Sequence, residues 1–562
     1  MFKNPPRFIT TLSGSILLAA TLAWGTPTVP PSTPKVTKKP TASPTKENFS
    51  RYGRTLSVSI APVVTLDSQA ASDFSSKVVI NGIQEALYKF DEAQNLVPVL
   101  ALTLPQMEDE TTYLICLRKG VYFHDGSEFD ADSVVYTVER LLQSDNRSPY
   151  RSYLTGQLKS VKTLDKYTVQ VRLMHPYVDV GMLFTRMELY PLSPKSVEGY
   201  KAAYGKVIAV GTGPFVFDEW DKKEKIVLKK FPRYRQPDPH YKPTKSPAKS
   251  AEGNPAQTEI APQQLNLPYL NVLQFKFHAE ESQALNELHN KRLSAVGGIT
   301  PQSATIIHNQ SRVLSHPGLC LNQIYLNIKE PPLDNLNVRL ALAHAVDRDG
   351  LVREVFSGFA LPAQSCIPSW HWAHNPDYPG MDYQPETAQD LLSQAGYDEQ
   401  HPLVFELLCT DEPLLTAQAR LVVNQWAKVG IKAKLVLLNK NELFSRLYGQ
   451  NGKRNFTAAL EDWQGGLNPD SFSYDLYSPK SAYNKVGYDN MLLELLFYNA
   501  RSSFSRTEKA IFYHQAEKLI TSDVSTVYLV FTHNIWAYNS YVMDLQMDYQ
   551  GLADFGRVWV TN

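Results

Sequence analysis

Residues 416–438, TAQARLVVNQWAKVGIKAKLVLL, decide the fold class. From Thr416 to Val429 the apolar residues return at the three-to-four spacing of an amphipathic helix. Gly430 suits the end of such a helix, and Ile431 to Leu438 then alternates as a half-buried strand does. A helix feeding straight into a strand is the unit of α/β layering. Outward from this segment, Leu56 to Ile60 (LSVSI) alternates as a strand before a helix expected over Ser75 to Phe90 (SSKVVINGIQEALYKF). Tyr113 to Arg118 and Thr168 to Leu173 (TVQVRL) read as strands. Asp132 to Leu142 reads as a helix capped by Asp130 or Asp132, and Leu340 to Phe356 (LALAHAVDRDGLVREVF) as a further amphipathic helix.

The chain has 562 residues, 43% of them hydrophobic, which is enough for two to four domains with ample core. Its 56 Lys and Arg balance 56 Asp and Glu, so there is no electrostatic footprint for a polyanion, and nucleic acid is not an expected partner. With 30 Tyr and 8 Trp, the chain is instead able to line a cleft with stacking and hydrogen-bonding groups.

Residues 1–25 read as a secretory signal peptide. Lys3 and Arg7 precede an apolar run, Leu12 to Ala23, of roughly 12 residues, where a spanning helix needs ~20. No cysteine follows that run, which argues against a lipid anchor and for a free periplasmic product. Residues 26–50 form a Pro-, Thr- and Lys-rich tether, and residues 232–268, with eight prolines, read as an exposed insertion. In an oxidising compartment Cys116, Cys320, Cys366 and Cys409 permit one or two disulfides, with the pairing open.

The order of local patterns resembles one known family. Glu85-Ala-Leu-Tyr-Lys-Phe-Asp91 with Asn95-Leu-Val-Pro-Val-Leu-Ala101 is similar to the opening of the extracellular solute-binding proteins of the peptide/nickel family (family 5). Leu117-Arg-Lys-Gly-Val-Tyr-Phe-His-Asp-Gly126 and Phe129-Asp-Ala-Asp-Ser-Val-Val135 resemble its signature segment. Val210-Gly-Thr-Gly-Pro-Phe215, Pro331-Pro-Leu-Asp-Asn335, Val338 to Arg348, Gln425 to Lys432 and Trp463-Gln-Gly-Gly-Leu-Asn-Pro-Asp-Ser-Phe472 follow in register. The likeness spans roughly residues 52–540.

That resemblance implies an α/β, two-lobe periplasmic binding protein fold of the class II type, with an extra domain inserted in the first lobe. The expected division is 51–75, 200–300 and 518–562 for lobe I, 76–199 for the inserted domain and 301–517 for lobe II. It further implies a monomeric, non-enzymatic substrate-binding subunit that closes on a peptide and passes it to an inner-membrane ABC permease and ATPase. Gly-x-Ser-x-Gly, His-Glu-x-x-His, Walker A and dinucleotide glycine motifs are all absent, and no cofactor is expected.

Carried over residue by residue, the ligand-binding positions are Trp463, Gly465, Gly466 and Asp470 in one loop, Trp370 and Trp372 in another, and Asp411 and Glu412. Two departures bear on the cargo. Gly466 stands where the dipeptide and oligopeptide branches carry an Asp for the ligand's α-amino group, as in the antimicrobial-peptide-uptake branch. The stretch Cys409-Thr410-Asp411-Glu412 is acidic where the dipeptide branch carries an Arg for the carboxylate. Both argue against a simple dipeptide receptor and for a cationic or atypical peptide, unless these acids are solvated surface charges. The tryptophans suit a side chain, a sugar or a porphyrin plane, or else simple hinge packing. A ligand sensor without transport, or a receptor for haem or a nickel chelate, are the alternatives. His371 and His374 offer two metal ligands without a third.

Overall fold

The computed structural model describes residues 51–146, 148, 150–235, 267–449 and 454–561. The signal, the tether and nearly all of the Pro-rich insertion lie outside the described residues. Two long strands, Arg312–Leu326 and Thr526–Tyr538, organise everything else. They pair antiparallel along most of their length, with register shifts between Pro317 and Cys320 and between Asn322 and Gln323. Around them grows one eleven-stranded mixed sheet in the order Lys432–Leu438, Val404–Thr410, Ala458–Gln464, Arg312–Leu326, Thr526–Tyr538, Ala295–Gly297, Thr55–Ile60, Val272–Phe277, Lys225–Lys230, Phe215–Asp221. The short strand Ala360–Pro362 adds to Thr526–Tyr538 off this path.

Two α/β cores lie along this sheet. Leu56, Val58, Phe215, Leu228 and Leu273 form the first core, and Leu407, Ala419, Val422, Trp426 and Leu460 belong to the second. Between Leu87 and Val210 a third core packs a separate four-stranded sheet, Gln106–Asp109, Thr112–Cys116, Thr168–Leu173 and Leu158–Asp165, against the helix Ala131–Leu142. That helix begins at a capping box. Asp130 accepts from Ser133 N at 3.1 Å, so of the two caps expected Asp130 is the one used.

The buried cores group segments that lie far apart along the chain. The helix Phe74–Ile83 puts Val78, Val79 and Ile83 onto Leu56 and Leu273. It ends at Ile83 and Tyr88–Phe90 forms a strand, so the helix expected to run on to Phe90 stops seven residues short. Likewise Ala304 and Ile307 pack with Ile535 and Ala537 of the first lobe, while Tyr513, Ala516 and Ile520 pack with Leu321 and Phe531 of the second. The chain therefore changes lobes inside the two long strands, near residues 317 and 533.

The deciding segment folds as expected within a few residues. Its helix is Pro413–Ala427, Gly430 takes φ +91°, and the strand is Lys432–Leu438. Trp426 is fully buried and donates from Nε1 to Leu342 O at 2.9 Å. The Leu340–Phe356 helix is instead two, Leu336–His344 and Arg348–Glu354. Two side chains break it. Asp347 accepts from Gly350 N at 2.8 Å and so starts a new helix, and Arg348 turns inward to donate to the carbonyls of Met381 (2.7 Å), Tyr528 (2.8 Å) and Ala363 (3.0 Å). The Gly211–Gly213 turn is also dictated by packing: a Cβ on Gly211 would lie 2.2 Å from Ile83 O.

Arg348→Met keeps an unbranched apolar stem but strips three buried carbonyls of their donor. We expect it to lower the unfolding free energy by about 3 kcal/mol or more, read by urea denaturation.

Candidate ligand cleft

Strands Thr55–Ile60 and Ala295–Gly297 run parallel in one lobe, Val404–Thr410 and Ala458–Gln464 in the other, and the carboxyl ends of both pairs point toward the region where the long strands change lobes. In open α/β sheets this edge is where ligands bind. Alternation along Ala458–Gln464 sends Glu461 and Trp463 to one face and Asp462 to the other, so the strand serves two different surfaces.

On the first face Trp463 is half-buried, donates from Nε1 to Ser471 O at 2.7 Å, and meets the Tyr483 ring edge-on at 5.1 Å. Beneath it Lys485, whose side chain is 3% exposed, forms a close ion pair with Glu461 and lies 5.6 Å from the Trp463 ring. Burial pushes the Glu461 carboxyl upward and the Lys485 charge works against that shift. The facing wall comes from the inserted domain. Tyr150 and Tyr153 stack at 5.2 Å, and the Arg186 guanidinium sits 4.0 Å from the Tyr150 ring centroid and 3.3 Å from Glu188. Arg186 is 45% exposed although tyrosines and carboxylates crowd around it. Asp475, on the short helix Tyr474–Tyr477, completes this cluster, since its charge and that of Arg186 both act on Tyr150 and Tyr483. Burial raises the Asp475 carboxyl to about 7; Asp470 adds to the shift and Arg186 and Arg501 oppose it.

The first lobe contributes Glu85, which accepts from Arg235 (2.6 Å), Tyr234 (2.9 Å) and Thr212 (3.1 Å), and Asp548, raised to about 6 chiefly by burial. Burial, with the charges of Asp548, Glu188 and Glu85, pushes the Tyr190 hydroxyl upward. The rim is joined at several points: Lys509 to Asp179 at 2.5 Å, Arg501 to Gln157 at 2.8 Å, and Gln94 to Trp370 O at 3.1 Å.

The expected site residues fall into three places. Trp463, Gly465 and Gly466 share the first face. A Cβ on Gly465 would lie 2.2 Å from the Phe472 ring, whereas one on Gly466 would meet nothing nearer than Ser471 Oγ at 3.8 Å. Gly466 thus has room for the larger residue that other branches carry there. Asp470, in the same loop, turns inward: it is 1% exposed, accepts from Tyr513 OH at 2.7 Å and pairs with Arg501 at 3.3 Å. Trp370 and Trp372 sit at the rim, the first stacked on Tyr549 at 4.9 Å and the second edge-on to Tyr513 at 6.0 Å with Arg506 over its ring at 5.0 Å. Asp411 and Glu412 are exposed at the corner before Pro413–Ala427, and Glu412 lines a cavity of about 310 Å³ on the opposite face with Asp462, Cys320, Asn322, Phe74 and Trp536.

Neither histidine of the Trp370 loop is free for a metal. His371, held down to about 4 by burial, contacts Leu467 O at 3.0 Å through Nε2 and accepts from Ala373 N through Nδ1, and His374 pairs with Glu517 at 2.7 Å. Among the described residues no three His, Cys, Asp or Glu side chains are grouped to hold a metal ion. All four cysteines are free, so neither of the disulfides the sequence permits is formed. Arg186, Glu188, Tyr150, Tyr153, Asp475 and Tyr483 were not legible as site residues. The one local signal is Arg-Met-Glu-Leu at 186–189, where charges alternate with apolar residues.

Comparison with known proteins agrees with this fold. Residues 95–484 match the family described as bacterial extracellular solute-binding proteins, family 5 Middle. The glutathione-binding protein GsiB of Escherichia coli K12 is 26% identical over 480 residues, covering 83% of this chain and 86% of its own. Among solved structures, the periplasmic binding protein DppA from Helicobacter pylori, in complex with the peptide STSA, superposes with a TM-score of 0.72 at 23% identity over 91% of this chain and 99% of that one. NikZ from Campylobacter jejuni, in complex with Ni(L-His), does so with a TM-score of 0.68 at 22% identity over 90% and 97%.

Two outcomes follow from the site geometry. Gly465→Ala drives a methyl group into Phe472 and costs about 1–3 kcal/mol, while Gly466→Ala is near neutral, a contrast that thermal denaturation resolves. The Asp475 carboxyl titrates at about 7 in the folded chain against an ordinary 3.8, so folding favours its neutral form. That contribution is whole below pH 4 and is lost as the pH rises through 7. Ligand-free Asp475→Asn therefore matches the parent near pH 4 and exceeds it in stability above pH 7, by at most about 4 kcal/mol, measured by denaturation across that range.

Proposed function

The chain belongs to family 5 of the bacterial extracellular solute-binding proteins, the periplasmic binding proteins of ABC importers, and from that premise we propose that its cargo is peptides, cationic or atypical ones included. A peptide is enclosed when the lobes hinge shut, and the closed form is handed to an inner-membrane permease and its ATPase. The chain works as a monomer, exported by the signal at residues 1–25, and carries out no bond-making chemistry of its own.

One observation carries the choice of cargo. The cleft wall holds charges of both signs, Arg186 beside Glu188 on one side and Asp475 on the other, among the hydroxyls and rings of Tyr150, Tyr153 and Tyr483 and the indole of Trp463. A zwitterionic chain of amides has complementary groups for such a surface, whereas a neutral sugar leaves the charges unanswered and an apolar ligand leaves them desolvated. The relatives named above as binding glutathione and the peptide STSA point the same way. Closure then follows from population shift, because a ligand that touches both walls stabilises only the closed form.

Expressed in a bacterial periplasm and purified without refolding, the chain should retain a ladder of peptide masses, released on denaturation and identified by mass spectrometry. Removing them should lower the melting temperature by several degrees. A single non-peptide mass, such as a haem, a metal chelate or a sugar, would sink the peptide reading.

A further inference from the structure

The ionic groups of the cleft do not balance. Arg186 is engaged by Glu188 at 3.3 Å and lies against the Tyr150 ring. Arg501 is engaged by Asp470 at 3.3 Å and by Gln157 at 2.8 Å. Lys509 is engaged by Asp179 at 2.5 Å. Each of these three cations thus has its own carboxylate, and Asp475 beside them is left over. Its carboxylate accepts no hydrogen bond and joins no ion pair among the described residues; only its backbone carbonyl is used, by Ser481 Oγ at 2.6 Å. A second group is unanswered at the same place. Tyr150 is 5% exposed and its hydroxyl has no hydrogen-bond partner, yet the charges that act on it are Arg186, Glu188 and Asp475, from both sides of the cleft.

We propose that Asp475 is the anchor for an ammonium group of the ligand, with the Tyr150 hydroxyl and the Tyr153 and Tyr483 rings completing its surroundings. This rests on the peptide reading above and deepens it. Gly466, which has no side chain to offer, is not the only place in the cleft from which a carboxylate can reach an amine; Asp475 comes from the next turn of the same lobe. An ammonium ion has three donors, and the unpaired carboxylate and the lone hydroxyl are acceptors for them. Tyrosine faces add cation–π attraction within about 6 Å. A metal ion needs several such ligands, and among the described residues no three His, Cys, Asp or Glu side chains are grouped to supply them. A bound cation would bring the local count to neutrality and favour the ionised carboxyl that the ligand-free cleft disfavours.

The test uses the full chain and three synthetic peptide libraries built from Ser, Thr, Ala, Gly and Leu: one with free amino termini, one N-acetylated, and one N-acetylated with a single lysine. Peptides retained by immobilised protein are counted by mass spectrometry. The parent should retain an ammonium-bearing library at least about tenfold over the plain acetylated one. Preference for the first marks the amino terminus as the source, and preference for the third marks a lysine side chain. Asp475→Asn should erase the preference while melting no lower than the parent, and Asp475→Glu should restore part of it. Equal retention of all three libraries by the parent, or an undiminished preference in Asp475→Asn, overturns the anchor and leaves peptide capture standing. Retention of none overturns both.

Discussion

Two strands carry the molecule. Arg312–Leu326 and Thr526–Tyr538 are hydrogen-bonded to each other along most of their length and supply the centre of the sheet in both lobes. A strand that belongs to two cores cannot slip in register without turning its apolar residues outward in both. Its register is therefore over-determined at the ends, by Leu321 and Ile324 in the second lobe and Ile535 and Ala537 in the first. Freedom concentrates in the middle, where the ladder breaks between Pro317 and Cys320. The interruption lies just where the chain leaves one core for the other, which is where a rotation of the lobes disturbs the fewest bonds.

Everything that faces the cleft inherits its position from that arrangement. Strand Ala458–Gln464 is fixed against Arg312–Leu326, and it delivers Trp463 to the cleft and Asp462 to the cavity behind. The loop after it is braced by Asp470, Tyr513 and Arg501 from within and by Ser471, which accepts from Gly466 N at 2.8 Å. Such bracing places the exposed groups within a narrow range before any ligand arrives, and preorganisation of this kind limits the entropy lost on binding.

Local order was legible where a single side chain settles it. Gly430 ends a helix, Asp130 starts one, and the alternation of Thr168 to Leu173 appears as a strand with those bounds. It was misread where a distant partner decides. Arg348 looks like one more polar residue on a helix face, yet three carbonyls from other segments draw it inward and the helix breaks. Lobe membership is equally hidden from local reading, because Phe74–Ile83 takes its place from Leu273, far along the chain. In the site, resemblance led to Trp463 and its glycines. It did not lead to Arg186 or Asp475, which lie almost 300 residues apart and become neighbours only through the two long strands. Nothing local marks them as a pair.

The four unpaired cysteines have a consequence for how the chain comes into being. Cys366 and Cys409 are buried among aliphatic and aromatic side chains, and burial pushes all four thiols above their ordinary range, so few thiolates are present to attack one another. The finished fold is held by packing, hydrogen bonds and ion pairs, without a disulfide. Its assembly is then indifferent to oxidising catalysts, and its two lobes are joined by no disulfide that a change in redox poise would tighten or release.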